Sequence, residues 1–453
     1  MNYKGCGSMK KVVAIILGKL ILFAGKVLKR GSSLPGVIAL KIDRRLLTKF
    51  KLPKIVIAVT GSSGKGSTSS TIAKLFKEQG YQVVHNKGGA NLTPGIITLL
   101  LEHSTLGGQV KGDILIYEID ERYTKFVFPY IKPGYVVISN ITRDQPPRQG
   151  HFDLVFNEIE KAITPDMHLI LNGDDPYLRK FTIGKSNSVT YYGIEKNVYS
   201  YTENQFQNLN INYCPECGSK LKYHYYHFEN LGDYYCERCS FHKPNEEYRV
   251  TNLNYEKHEM TINDSYKVKI PYDVLYCVYN TLSAFATASL LGLNQIKVTE
   301  TLSKLGSNQK NFDAFEYKTR IIHILNNKNE NSSTFNQSIL YVNRFKEPKV
   351  VVIGWKEISR RYNFDDLSWL YDIDFEILKN QEVNQFVCVG MHRYDIATRL
   401  KYAGIKEDKI AVFDNLKESA TYIKHKTEGN IYAILNFDYV EPFKEVMKEE
   451  ESA

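Results

Sequence analysis

The chain has 453 residues, 43% of them hydrophobic and 24% charged, with 59 Lys and Arg against 50 Asp and Glu for a net charge of +9. That length holds roughly two to four domains with sizeable cores, and the composition excludes a wholly disordered chain, a collagen-like chain and a polytopic membrane protein. A mildly basic chain suits a phosphate-bearing ligand or an anionic membrane surface, and it is too weakly basic to demand nucleic acid.

Residues 12–28 are apolar, but Lys19 and Lys26 interrupt them, so no uncharged run reaches the roughly eighteen residues of a spanning helix. The stretch reads as an amphipathic helix on the protein body or on the membrane face. A signal peptide, with Lys10 and Lys11 before the apolar stretch, is the alternative. Ile55–Thr60 then reads as a strand, 65–79 as a helix, and 81–85, 113–119, 135–141 and 168–172 as strands, most of them separated by helical patterns. Apolar runs alternating with helices predict βαβ units and a parallel sheet. The alternation stops near Tyr199 and resumes with a helix over 280–291. After a polar stretch at 306–311, a second α/β series follows, with strands at 349–354, 385–390, 409–413 and 431–436. The expected organisation is an N-terminal lead with an apolar helix (1–50), a central α/β domain (51–300) carrying an insertion (201–250), and a C-terminal Rossmann-like α/β domain (301–453).

The insertion holds Cys214, Cys217, Cys236 and Cys239: C-x2-C, eighteen residues, C-x2-C. Two-residue spacers let each pair aim its sulfurs at one tetrahedral Zn²⁺, and four thiolates leave no open coordination position, so a structural zinc ribbon is expected. A disulfide pair or redox dithiol is the alternative. The few basic residues of the segment are mixed with acidic ones, which argues against nucleic acid as the ribbon's partner. Cys6, Cys277 and Cys388 are isolated and read as free thiols. Thiolates with spare thiols point to the cytoplasm.

Strand Ile55–Thr60 runs into Gly61-Ser62-Ser63-Gly64-Lys65-Gly66-Ser67-Thr68 and then a helix. Glycines let the backbone wrap phosphate oxygens, and the helix N-terminus adds its positive dipole end. Lys65 would reach the outer phosphates of ATP, and Ser67 or Thr68 would offer a hydroxyl to Mg²⁺. The full G-x-x-x-x-G-K-[ST] pattern is not met, because position 59 is Val and Gly66 follows the lysine. Glu118, near a strand end where parallel sheets open their ligand crevice, could hold Mg²⁺.

The loop at 60–68 resembles the phosphate loop of the Mur ligase superfamily, whose members use ATP to turn a carboxylate into an acyl phosphate that an amine attacks. Within it, the chain is identified as similar to the MurT family. The carrying segments are 89–96 (GANLTPGI), 118–121 (EIDE), 140–145 (NITRDQ), 172–176 (NGDDP), Tyr279-Asn280, the inserted ribbon, 366–369 (DLSW), 374–376 (DFE) and 390–395 (GMHRYD) with 399–404. The resemblance implies ATP contacts from Gly61, Ser63, Gly64, Lys65, Gly66, Ser67, Thr68, Asn280 and Arg393, and Mg²⁺ ligands in Ser67 and Glu118. It implies a GatD-type glutaminase partner that supplies ammonia, and lipid II as substrate, its D-glutamate α-carboxylate becoming D-isoglutamine. It also implies a C-terminal aspartate, best matched by Asp366, that orients the glutaminase's histidine.

Several family positions are altered. The Lys-Asn-Pro-x-Gly-Phe motif reads Glu330-Asn331-Ser332-Ser333-Thr334-Phe335, the Phe-Gly-Arg turn reads Phe312-Asp313-Ala314, and the stretch before Ser-Trp reads Tyr362-Asn363-Phe364-Asp365-Asp366. A folate-type or Mur-type amino-acid ligase, or a catalytically weak partner-binding scaffold, are the competing readings.

Overall fold

A computed structural model describes residues 4–28, 33–86, 89–142, 151–207, 209, 211–308, 314–327, 331–355, 367–379 and 382–452. The chain opens with helices α1 (Lys4–Val27) and α2 (Leu34–Ile42). It continues through β1 (Ile55–Thr60), α3 (Lys65–Glu78), β2 (Val83–His85), α4 (Thr93–His103), β3 (Ile114–Glu118), α5 (Thr124–Val127), β4 (Tyr135–Ile138), α6 (Phe152–Glu160), β5 (His168–Asn172), α7 (Pro176–Arg179) and β6 (Val189–Ile194). A hairpin of β7 (Lys222–Phe228) and β8 (Leu231–Tyr235) interrupts this series, which returns through β9 (Tyr248–Asn254), β10 (Glu259–Ile262), β11 (Tyr266–Lys269), α8 (Leu275–Leu290) and α9 (Gln295–Asn308). The second series is β12 (Ala314–Tyr317), β13 (Arg320–Asn327), α10 (Ser332–Arg344), β14 (Lys349–Trp355), β15 (Val383–Gly390), α11 (Arg393–Tyr402), β16 (Ile410–Phe413), α12 (Leu416–Lys426), β17 (Asn430–Asn436) and α13 (Phe437–Ser452).

Among the described residues these strands build a nine-stranded sheet ordered β11-β10-β9-β6-β5-β4-β1-β3-β2, a six-stranded sheet ordered β12-β13-β17-β14-β15-β16, and the separate β7-β8 ribbon. The large sheet is parallel from β2 to β9 and ends in the antiparallel meander β9-β10-β11. Its central strands are apolar on both faces, because helices cover both. One face packs under α1, α2, α4 and α6 and the other under α3, α8 and α9. The second sheet is likewise covered on both sides, with Trp355 and Trp369 buried on one. α8 begins five residues before the expected helix. Its first turn, Leu275-Tyr276-Cys277-Val278-Tyr279, is apolar and aromatic without helical alternation, since nearly all of it is buried.

The ribbon joins the two lobes. At its tip Glu229 adopts φ +45° and is buried against the start of α10. Its carboxylate accepts from Ser333 Oγ at 3.0 Å and from Asn336 Nδ2 at 2.9 Å. Burial pushes the Glu229 carboxyl up from 4.5 to about 7. The folded protein therefore keeps a proton that the unfolded chain releases. The stability this contributes is complete below about pH 4.5 and is lost as pH rises through about 7. The thermal midpoint is expected to fall between about pH 5 and about pH 8, and Glu229→Gln is expected to flatten that fall in a melting series.

Candidate functional site

The end of β1 and the start of α3 frame the phosphate loop. Gly61 and Gly64 sit at φ +123° and +79°, a region that L side chains rarely adopt. A methyl added at Gly64 would also stand 2.5 Å from Asn280 Oδ1. The loop is clasped from the next strand: Ser62 N donates to Asn140 O at 2.9 Å and Ser63 N to Asn140 Oδ1 at 2.9 Å, while Asn140 Nδ2 returns a bond to Ser63 O at 3.1 Å. Ser139 Oγ adds a bond to Ser63 O at 2.6 Å. With Ser62 and Ser63 spoken for, the amides at the helix start are the ones left for a phosphate group.

A cavity of about 440 Å³ lies in front of this loop. Ser63, Gly64, Gly66, Ser67 and Thr71 form one wall, Tyr272, Tyr276 and Asn280 another, and Asn326 and Thr334 of the second lobe a third. Of the two hydroxyls considered for the metal, Ser67 lines the cavity and is exposed, whereas Thr68 is buried and donates to Asn280 Oδ1 at 3.4 Å. Lys65 does not line it. Its ammonium bonds the carbonyls of Gly61 and Ser62 and lies 3.1 Å from Glu121 Oε2. Glu118 ends β3 beside β1, in register with Val59. Its Oε1 accepts from Asn91 Nδ2 at 2.9 Å, and its Oε2 lies 3.1 Å from where a Cβ at position 66 would stand. Gly66 occupies the place where the G-K-[ST] pattern puts its metal-binding hydroxyl, so the carboxylate leans over the vacated position.

The donor set fits a nucleotide with its magnesium: helix-start amides and one exposed hydroxyl at the cavity wall, with one lysine and one carboxylate beside the loop. Burial pushes the Cys277 thiol well up, so this cavity wall offers no thiolate nucleophile. Arg393 is placed elsewhere. It opens α11 on the second sheet, donates to Gly390 O at 3.0 Å and pairs with Asp414, and it is not part of the cavity wall. Asp366, with Arg143 and Asp144, lies outside the described residues.

The four ribbon sulfurs lie within 4.8 Å of one another, with Cys214 and Cys239 at 3.5 Å and Cys217 and Cys236 at 3.4 Å. A tetrahedral ion with bonds of about 2.3 Å needs sulfurs about 3.8 Å apart, so the set fits zinc. Gly218, at φ +72°, closes the first knuckle with its N–H on Cys214 O at 2.9 Å. Just past the second knuckle, Lys243 reaches the fully buried Asp174 at 2.6 Å, and Asp174 also accepts from Tyr279 Oη at 2.8 Å. Tyr279 precedes Asn280, so the root of the ribbon is tied to the cavity wall.

Asn140, Glu121 and Asp174 were not singled out as site residues from the sequence. Each follows the carboxyl end of a parallel strand, which is the signal that would have found them.

A Mur ligase middle domain family model matches residues 59–224, and a MurT ligase C-terminal family model matches residues 329–439. Solved structures share the fold. A pseudomurein peptide ligase type C from Methanothermus fervidus superposes with a TM-score of 0.66 at 21% identity, covering 90% of this chain and 81% of that one. A MurF from Acinetobacter baumannii gives 0.62 at 15% identity, covering 92% and 80%. Fold and phosphate loop together define a Mur-type ligase, an ATP-dependent enzyme. Two relatives narrow the class. The lipid II isoglutaminyl synthase (glutamine-hydrolyzing) subunit MurT of Staphylococcus aureus (strain COL) is 30% identical over 442 residues, 96% of this chain and 98% of that protein. Its namesake from Streptococcus pneumoniae is 29% identical over 454 residues, 97% of each. The chain belongs to the MurT family.

Proposed function

We propose that this chain is the ligase subunit of an amidating pair in peptidoglycan synthesis. It activates the α-carboxylate of D-glutamate in lipid II with ATP, and ammonia from a GatD-type glutaminase completes the amide. The observation that carries the reading is the cavity in which the phosphate loop meets Asn326 and Thr334 of the second lobe, joined to similarity along nearly the whole chain to proteins with that activity in their name. A carboxylate oxygen attacks the γ-phosphorus and ADP leaves, forming an acyl phosphate. Ammonia then attacks the acyl carbon, the C–N bond forms, and phosphate departs as the nitrogen loses a proton.

Such a reaction asks the protein for position and charge more than for covalent chemistry. The amides of the α3 start would hold the phosphates, and Lys65 would balance the charge that develops on them. Ser67 and Glu118 would hold Mg²⁺, which supplies Lewis-acid charge stabilisation. Asn280, fixed by Thr68 and by the Tyr279–Asp174 bond, would frame the nucleotide from α8. The four cysteines would hold structural zinc. Asp366 is proposed to reach the glutaminase, and the work is proposed to take place at the cytoplasmic membrane face, where lipid II is presented.

Copurified with its glutaminase and given ATP, glutamine and lipid II, the chain is expected to release ADP and amidated lipid II in equal amounts, read by mass spectrometry. A folded, zinc-loaded complex that yields neither would overturn the proposal. Amino-acid-dependent ATP hydrolysis without any glutaminase would favour the amino-acid ligase reading instead.

A further inference from the structure

The first helix is built the opposite way round from a helix that buries its oily side. Met9, Val13, Ile16, Leu17, Leu20, Phe23 and Val27 are all exposed, Leu20 at 59%, Phe23 at 70% and Val27 at 67%. At about 100° per residue they fall within an arc of about 120° along α1. The opposite side, with Ala14, Ile15 and Gly18, packs on the protein, where a methyl at Gly18 would stand 2.6 Å from Leu101 Cδ1. The lysines that break the apolar run do not keep the stripe wet. Lys11 donates to Gly107 O and Lys19 to Leu101 O, both at 2.5 Å, and Lys26 pairs with Glu102 at 2.6 Å. Their heads are drawn onto the body, leaving the hydrocarbon facing outward.

Charge concentrates on the same unit. Residues 1–50 hold eleven Lys and Arg and a single acid, Asp43, for a balance of +10. The whole chain is +9, so residues 51–453 are near neutral at −1. Lys10, Lys41, Arg44 and Arg45 are exposed on this N-terminal unit. Among the described residues no helix is long and apolar enough to cross a membrane, which leaves a helix lying flat. An apolar stripe within a basic surround matches an anionic bilayer, where the stripe enters the acyl boundary and the cations meet the headgroups. A protein partner would be expected to offer carboxylates, and residues 51–453 of a second copy, balanced at −1, carry little net charge to meet the +10.

We propose that the outward face of α1 docks this protein on an anionic lipid surface, with the exposed cations of 1–50 as its electrostatic collar. This stands apart from the amidation reading, because binding is measured with the chain alone and no substrate. The full-length protein is expected to cosediment with phosphatidylglycerol vesicles, to bind phosphatidylcholine vesicles about tenfold less, and to be released by salt. Leu20→Glu with Phe23→Glu is expected to cut phosphatidylglycerol binding about tenfold or more while the melting temperature holds, since both side chains are already exposed. Wild-type protein that stays in the supernatant overturns the proposal, as does a double variant that binds equally well. A concentration-dependent dimer dispersed by the double variant, without vesicle binding, overturns it in favour of self-association.

Discussion

Lys65→Ala is expected to lower ATP turnover by about 10²–10³-fold, the usual effect of removing one preorganised group that stabilises transition-state charge. The lysine is already held in place: carbonyls from Gly61 and Ser62 bond its ammonium and Glu121 lies 3.1 Å away. That anchoring complicates the obvious experiment. Glu121 is only 1% exposed, so removing the ammonium leaves a buried carboxylate without the cation it faces, at a cost of about 3–5 kcal/mol where such pairs are fully buried. Lost activity could then be lost fold. The double variant Lys65→Met, Glu121→Gln separates the two, because it removes both charges and is expected to recover most of the melting temperature. ADP release should stay low in the single and the double variant alike. Recovery of turnover in the double variant would show that Lys65 only neutralises Glu121 and has no part in phosphate chemistry.

Features fixed by local chemistry were readable in the chain itself. A six-residue apolar strand, a glycine-rich turn and a helix are local signals that mark the expected phosphate loop whatever surrounds it, and Gly61 and Gly64 of that turn take positive φ. The cysteine spacing is a property of knuckle geometry and brought four sulfurs within reach of one ion. What long-range packing decides was not readable. Asn140 clasps a loop 77 residues away, and Glu229 meets Ser333 across 104; nothing in either neighbourhood announces the other. The meander β9-β10-β11 at the sheet edge carries its own signal, since Glu259-Met260-Thr261-Ile262 and Tyr266-Lys267-Val268-Lys269 alternate in side chain and in burial, but four-residue runs are too short to stand out beside the inserted ribbon. The direction of α1 was open for a similar reason. Periodicity finds an amphipathic helix, but here the lysines on the flanks fold back onto carbonyls of α4 and its following turn, and only the tertiary arrangement shows which side is wet. Of the altered motif, residues 331–335 also read differently in three dimensions. Asn331 caps α10 through Thr334 N at 3.0 Å, Ser333 takes the ribbon tip, and Thr334 lines the cavity. The departure from the family motif therefore sits at a lobe junction where the altered residues make contacts of their own.

That junction makes the ribbon the place where loss of metal should be felt furthest. Chelation, or Cys236→Ser, is expected to unfold the cysteine knuckles and loosen the rest of the insertion, since structural zinc in isolated fingers supplies about 10–16 kcal/mol of folding free energy at neutral pH. Part of the hairpin will persist, because Tyr234, Phe241 and Leu221 are buried in the same core as Tyr177 and Phe181. The tip and the root face different elements. Withdrawal of Glu229 frees the start of α10, whose Thr334 lines the cavity, while slackening of Lys243 loosens Asp174, Tyr279 and with them Asn280 on the opposite wall. Metal removal is thus expected to open new protease cuts within 211–243 and also to weaken nucleotide binding at a cavity that holds no zinc ligand. Glu229→Ala splits the two routes: it should leave the sulfur cluster metal-loaded and the hairpin protected while weakening nucleotide binding through α10 alone. Protein shown by metal analysis to have lost its zinc, with an unchanged melting temperature and digestion pattern, would contradict a structural role for the ion. Protein that loses the ribbon yet binds nucleotide normally would instead show that the cavity stands without it, and that α8 and α10 are held by the two sheets alone.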